Sequence, residues 1–293
     1  MLERVALAER PRLLGIAYRM IGSYSDAEDV VQDAMLRIHR APATDIASPE
    51  AYLTTITTRL AIDHLRSARV RRESYVGPWL PEPIAADPAP DAASKAIIND
   101  NLSMAFLVIL ETLGPNERAV LVLHDVFAYS HAEIGAMLDR SETSCRQLLR
   151  RARQRIEDGH TKVEVTPAQR DEIVRRFVAA CEGGDLDAFL ALLTDEVELV
   201  FDGGAEVRTA ARRPIRGADR VARFLAFAMA RIADHRIIEP ANLNGGPAAL
   251  VYAKPGLLIG AVFVEPTVEG GASTIRWVRN PTKLVGLRSR SQA

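Results

Sequence analysis

The sequence predicts a multidomain chain: two all-α modules followed by an α+β domain with a curved antiparallel sheet. Three observations predict it. Up to about residue 160, apolar residues recur at three-to-four-residue spacing between helix caps, with one proline-rich interruption. Residues 130–156 read as two helices joined by a short turn, the pattern of a helix-turn-helix. After Glu157-Asp158-Gly159 the texture changes to strand-like alternation and β-rich runs separated by Gly and Pro.

Each element follows from local chemistry. Leu13, Leu14, Ile16, Ala17 and Met20 form the stripe of a first helix, which Gly22 closes. Ser25-Asp26-Ala27-Glu28 has the form of a capping box ahead of Val30, Val31, Ala34, Met35 and Ile38. Ser48 and Pro49 suit the N-cap and first position of a third helix, whose stripe runs from Tyr52 to Leu65. Pro78, Pro81, Pro83, Pro88 and Pro90 then exclude helix, although Tyr75, Trp79 and Leu80 are too apolar for a purely solvated spacer.

Helices are expected to resume near Lys95, with Gly114-Pro115 as a stop and Glu117 to Phe127 as the next helix. Ser130-His131-Ala132-Glu133 is a capping box, and Ser141 caps a basic helix after the Asp139-Arg140 turn. Thr166-Pro167-Ala168-Gln169 starts another helix, Val197 to Phe201 alternates as a strand, and Ala218 to Ile232 is helical. The expected domains are 1–73, 95–160 and 166–288, with residues 74–94 as linker.

Composition narrows the function classes. At 48% hydrophobic and 26% charged, the chain resembles an ordinary globular protein, with no apolar run of the roughly 20 residues that span a bilayer. MLERVALAERPRLL lacks a continuous apolar core, so no signal peptide is expected and the expected compartment is the cytoplasm. Two cysteines, Cys145 and Cys181, support neither a disulfide framework nor a four-thiolate site, and no metal or cofactor is expected.

The net charge of −1 hides two clusters. Asp26, Glu28, Asp29 and Asp33 fall within eight residues, whereas Arg146, Arg150, Arg151, Arg153 and Arg155 fall within ten that contain no acid. Such a basic density can hold phosphates. In the 141–156 helix, Cys145, Leu148, Leu149, Ala152 and Ile156 can share a buried face, leaving Ser144, Arg146 and Gln147 to reach base edges. Arg150, Arg151 and Arg153 better suit phosphates.

With these residues in place, the first half resembles a bacterial sigma factor of the extracytoplasmic-function (ECF) type, in which helical regions 2 and 4 are joined by a flexible linker. Asp26-Ala-Glu-Asp-Val-Val-Gln-Asp33 is similar to the region 2 helix that docks on the RNA polymerase core. The resemblance implies that Asp26, Glu28, Asp29, Gln32 and Asp33 contact the clamp helices of the largest polymerase subunit. It places Thr54, Thr55, Thr58, Arg59, Arg66 and Arg69 on the helix that recognises and opens the −10 element. The 141–156 helix then reads the −35 element in promoter DNA.

The remainder resembles a SnoaL-like cone fold, carried by one subgroup of these sigma factors. That subgroup has a Trp-Leu-Pro-Glu-Pro linker, present here as Trp79, Leu80, Pro81, Glu82 and Pro83. Its other motifs appear as Asp202-Gly203-Gly204-Ala205-Glu206, where Gly-Lys is usual at the end, and Asn280-Pro281-Thr282-Lys283-Leu284, where Asp is usual in the middle. These residues are implied to carry regulation in cis, and the cone to offer a pocket for a small-molecule ligand.

Two rival functions follow from the same residues. A cyclase- or isomerase-like enzyme would use Asp202 as a base beside Tyr252, Trp277 or His235 in a deep pocket. A ligand-sensing helix-turn-helix repressor would need no polymerase, and the acidic 26–33 helix argues against it. No membrane partner is expected.

Overall fold

A computed structural model describes residues 2–41, 46, 48–85, 102–159, 165–184, 186–232, 237–254 and 256–288. The chain divides into two units: residues 1–73 with 91–161, and residues 74–90 with 162–293. The proline-rich segment therefore belongs to the same unit as the α+β domain.

Unit 1 begins with α1 (Leu2–Ile21), α2 (Tyr24–Arg40) and α3 (Pro49–Glu73). Their shared core holds Leu13, Ile16, Met20, Val31, Ala34, Ile38 and Leu53. Gly22 at φ 75° ends α1 in a left-handed conformation that other residues resist. The α2 cap lies two residues earlier than the sequence pattern suggests: Ser23, not Ser25, accepts the Asp26 amide. Both serines fit the cap chemistry, and the fixed position of Gly22 selects the nearer one.

α4 (Met104–Leu110) precedes α5 (Pro115–Leu121), which continues through a π-helical turn over Val122–Val126. Gly114-Pro115 is a start rather than a stop, with Gly114 at the N-cap and Pro115 at N1. A proline costs nothing there because the first amides of a helix have no carbonyl to bond. Helix α6 (His131–Leu138) carries the Ser130/Glu133 capping box, and α7 (Glu142–Gly159) follows.

The turn between α6 and α7 has no glycine where helix-turn-helix proteins often do. Asp139 itself takes φ 55°, a conformation that Asp tolerates better than most residues. The glycine that the turn does need is Gly135, where a Cβ would sit 2.7 Å from the Arg140 carbonyl oxygen.

Unit 2 packs α8 (Pro167–Gly183), α9 (Leu186–Leu190) and α10 (Ala218–Arg231) against one six-stranded sheet. The strands are β1 (Leu193–Asp202), β2 (Ile215–Arg216), β3 (Ile237–Leu243), β4 (Gly246–Tyr252), β5 (Leu258–Pro266) and β6 (Ala272–Val278). Their order is β2-β1-β6-β5-β4-β3. The sheet is mixed rather than wholly antiparallel, because β1 runs parallel to β6. Parallel neighbours require a long crossover, and the chain between β1 and β6 contains α10 and the four other sheet strands. Phe177, Phe189, Phe201, Leu225 and Trp277 fill the core. A short 3₁₀ turn (Pro281–Leu284) and α11 (Val285–Arg288) follow β6.

Replacing Gly135 by Ala drives a methyl against backbone rather than a movable side chain. We expect Gly135→Ala to destabilise unit 1 by ~1–3 kcal/mol, read as a lowered unfolding midpoint with unit 2 unaffected. An unchanged midpoint would mean that the turn relaxes freely.

Candidate functional site

In unit 1 the acidic helix presents a solvent-facing row. Asp29, Gln32 and Asp33 are exposed, and Val30, Val31 and Ala34 behind them are buried. Glu28 pairs with Arg10 at 3.1 Å, and Asp26 lies 3.4 Å from His64 Nε2. Arg10, Ser25, Glu28, Asp29, Gln32 and Met35 line an open groove of about 400 Å³.

The hydroxyl-rich face expected on α3 is corrected by the structure. Thr54 and Thr58 are fully buried. Thr54 donates to the Glu50 carbonyl at 2.8 Å and accepts from Arg12 at 2.9 Å. Thr55 bonds its own helix at the Ala51 carbonyl. Bonding back to the preceding turn satisfies the hydroxyls of Thr54 and Thr55, whereas the buried Thr58 hydroxyl has no hydrogen-bond partner among the described residues.

α3 is covered by the helix-turn-helix. Arg59 Nε–H donates to the Met137 carbonyl at 2.7 Å, and its Nη2 pairs with Asp139 at 3.3 Å. Tyr129, just before α6, meets Arg12 and Thr54. Buried Arg118 on α5 donates to the Met20 carbonyl at 2.6 Å and pairs with Glu111 at 2.7 Å. Arg66 remains exposed beside Asp63; the Arg69 side chain lies outside the described residues.

On α7, Cys145, Leu148, Leu149 and Ala152 are buried, while Arg146, Gln147, Arg150, Arg151 and Arg153 are exposed and Ser144 is half-buried. Ser144 lies in the first turn, its amide bonded to Ser141 Oγ at 3.2 Å. Most of the arginines have acidic neighbours. Arg146 pairs with Glu142, Arg153 with Asp125 at 2.6 Å, and Arg151 with Glu117 at 3.5 Å. The exposed Arg146–Glu142 pair is worth ~0–1 kcal/mol, whereas Glu117 is buried and is shared by Arg151 and Arg155.

The most tightly built cluster lies in unit 2, around Asp202 at the end of β1. Alternation along a strand sends Phe201 and Asp202 to opposite faces. Phe201 stacks in the core on Trp277, with ring centroids 5.0 Å apart, and Asp202 turns to the linker. Asp202 Oδ1 accepts the Tyr75 hydroxyl at 2.5 Å and the Gly204 amide at 3.2 Å. Oδ2 accepts the Leu80 amide at 2.9 Å and Lys283 Nζ at 2.6 Å. The carboxylate is fully buried and thus makes four hydrogen bonds, one of them to a cation.

Lys283 completes the cluster from the 3₁₀ turn. Its ammonium also donates to the Leu80 carbonyl and stands 4.0 Å from the centre of the Trp79 ring. Asn280 Nδ2 donates to the Tyr75 oxygen at 2.8 Å. Burial, the Asp202 charge and its hydrogen bond together push the Tyr75 hydroxyl well above the usual phenol range, so it remains a donor.

The glycines beside Asp202 are needed for close approach. A Cβ on Gly203 would lie 2.3 Å from that of Ala210, and one on Gly204, at φ 59°, would lie 2.9 Å from Asn280. Ala205 and Glu206, which depart from the subgroup pattern, are exposed, and the cation on Asp202 is Lys283.

Leu80, Pro81, Glu82 and Pro83 are buried within this unit, as is Leu284, while Pro281 is half-buried. Further along the linker, Asn244 exchanges hydrogen bonds with Ile84, at 2.9 and 3.1 Å, and Ala85 bridges Leu243 at the edge of β3.

Sequence reasoning named both Lys283 and Asp202 but did not join them. It read Tyr75 only as an apolar side chain and missed Asn244, whose Asn-Gly sequence is a hairpin signal with no hint of a second role. The base that the rival enzyme reading would place at Asp202 has both carboxylate oxygens hydrogen-bonded within the cluster. Tyr252 and Trp277 are buried, and His235 lies outside the described residues.

Lys283→Met removes the cation and leaves a buried carboxylate with its other partners. We expect a loss of ~3–5 kcal/mol in unit 2 stability, together with faster hydrogen exchange at the Leu80 amide. Exchange as slow as in the parent chain would show that the linker is held elsewhere.

Comparison with known proteins agrees with this organisation. Residues 6–71 match the Sigma-70 region 2 family model, residues 103–156 the Sigma-70 region 4 model, and residues 174–251 the SnoaL-like domain model. The chain is 37% identical over 288 residues to the ECF RNA polymerase sigma factor SigJ of Mycobacterium tuberculosis, covering 95% of this chain and 92% of that protein. It is 34% identical over 285 residues to the probable ECF RNA polymerase sigma factor SigI of the same species, covering 96% and 94%. The crystal structure of M. tuberculosis SigJ superimposes with a TM-score of 0.73 at 31% identity, covering 98% of this chain and 99% of that one. Similarity over nearly the whole length, through both sigma regions and the SnoaL-like domain, shows that the chain belongs to the ECF RNA polymerase sigma factor family.

Proposed function

We propose that this sigma factor docks on the polymerase core through Asp26, Glu28, Asp29, Gln32 and Asp33, reads promoter DNA through α3 and α7, and is regulated in cis by its SnoaL-like domain. The observation that carries the regulatory reading is the capture of the linker by Asp202 and Lys283. The linker joins the two DNA-reading regions. Both its backbone groups at Leu80 are bonded to one buried ion pair, so the domain controls how far the linker can extend.

The packing within unit 1 supports the same reading. Arg59, assigned to the −10 element, is engaged with Met137 and Asp139 of the helix-turn-helix. Reading two separated promoter elements requires those contacts to open. Arg59 then becomes available to DNA, and burial of Thr54 and Thr58 shifts the promoter-facing role towards Arg59, Arg66 and the outward Thr55. In α7, Ser144, Arg146 and Gln147 are assigned to base edges, and Arg150, Arg151 and Arg153 to phosphates.

No catalytic role is assigned to the SnoaL-like domain, since Asp202 is committed to the linker. The polymerase supplies the phosphoryl-transfer chemistry, and the sigma factor supplies position.

Two outcomes test the interfaces. Asp29→Arg combined with Asp33→Arg should abolish capture of core polymerase in a pull-down while far-UV circular dichroism stays unchanged; retained capture would remove the docking assignment. In promoter-binding titrations, Arg146→Ala should lose ~1–3 kcal/mol of discrimination at one −35 position, whereas Arg151→Ala should weaken all sequences alike. A uniform loss in both would remove base reading from Arg146.

A further inference from the structure

On the face of β1 opposite Asp202, unit 2 contains a second feature that the linker does not use. A cavity of about 310 Å³ is lined by residues from β1, α10, β5 and the end of β6. Its size falls at the lower end of the range for small-molecule sites. Its wall divides chemically into two parts.

One part is aromatic and aliphatic. Phe201 meets Phe224 edge-on, with ring centroids 5.7 Å apart, and Phe227 and Ile232 extend this surface. Phe227 is 57% exposed at the rim, an unusual position for a phenylalanine on a helix whose other face is fully packed.

The other part is cationic. Among the described residues that line the cavity, the charged ones are Arg231 and Arg279. Arg231 lies over the Phe227 ring, 5.4 Å from its centre. Arg279 is half-buried, and its Nε is sealed from solvent with no hydrogen-bond partner among the described residues. Burial pushes its pKa down, and no carboxylate among the described residues offsets that. Sealing one guanidinium N–H from water without an acceptor is costly, and a packing role alone would be met by an aliphatic side chain.

We propose that this cavity binds a small apolar carboxylate, its ring or chain against Phe201, Phe224 and Phe227 and its carboxylate paired with Arg279. The anion supplies the missing partner, the phenylalanines supply the buried area, and Arg231 at the rim attracts the same charge. A neutral ligand would leave Arg279 unpaired, and inorganic phosphate would leave the phenylalanines in water. The inference concerns binding alone and stands apart from the promoter reading.

Isothermal titration of the full chain with naphthoate and with its neutral amide, naphthamide, tests it without polymerase or DNA. The expected result is binding of naphthoate at least about tenfold tighter than naphthamide, the size of effect a desolvated charge pair gives. Arg279→Met should abolish that preference while the weaker affinity for naphthamide remains. Phe227→Asp, a change at an exposed position that the fold tolerates, should remove naphthoate binding by placing a like charge at the mouth. Equal affinity for the two compounds, no heat with naphthoate at millimolar concentration, or a preference that survives Arg279→Met would each overturn the proposal and leave the sigma-factor assignment intact.

Discussion

The buried carboxylate of Asp202 constrains the rest of unit 2. A carboxylate withdrawn from water is tolerated only when its lone pairs are filled and its charge is matched. Filling them requires the Tyr75 hydroxyl and the Leu80 amide from the linker, the Gly204 amide from the turn after β1, and the ammonium of Lys283. Each donor fixes a further element. The linker must lie against the sheet, two glycines must follow Asp202, and the 3₁₀ turn must bring Lys283 over the end of β1. Breaking the pair from either side leaves an unmatched charge, so the linker cannot detach by small steps.

Electrostatics also organise unit 1, in a softer form. Arg118 is nearly sealed from water and bonds the end of α1 from α5, whereas Arg59 joins α3 to the helix-turn-helix through a part-buried bond to the Met137 carbonyl and a solvent-exposed pair with Asp139. The first holds the fold together, and the second, being partly exposed, is the weaker of the two.

Local signals were legible in the sequence, and non-local ones were not. The capping boxes at Ser130 and Thr166 and the buried stripe of α7 were readable because every participant lies within a few residues. The Gly114-Pro115 pair was read as a stop because the same two residues suit either end of a helix, and only the following amphipathic turn distinguishes them. Parallel pairing of β1 with β6 had no local signature. Burial of Thr54 was decided by neighbours far along the chain, Arg12 and Tyr129 among them, and a buried threonine looks the same in sequence as one facing solvent. Lys283 and Asp202 lie 81 residues apart, so each could be singled out but not joined. Arg279 was passed over because it lies beside a recognisable motif and belongs to none.

Run-off transcription by core polymerase charged with the Lys283→Met chain tests the central claim most directly, that capture of the linker sets the output of the sigma regions. Altered promoter output is expected, with core capture and the affinity of region 4 for its element unchanged. Output equal to the parent chain at every sigma concentration, with the Leu80 amide freely exchanging, would contradict it.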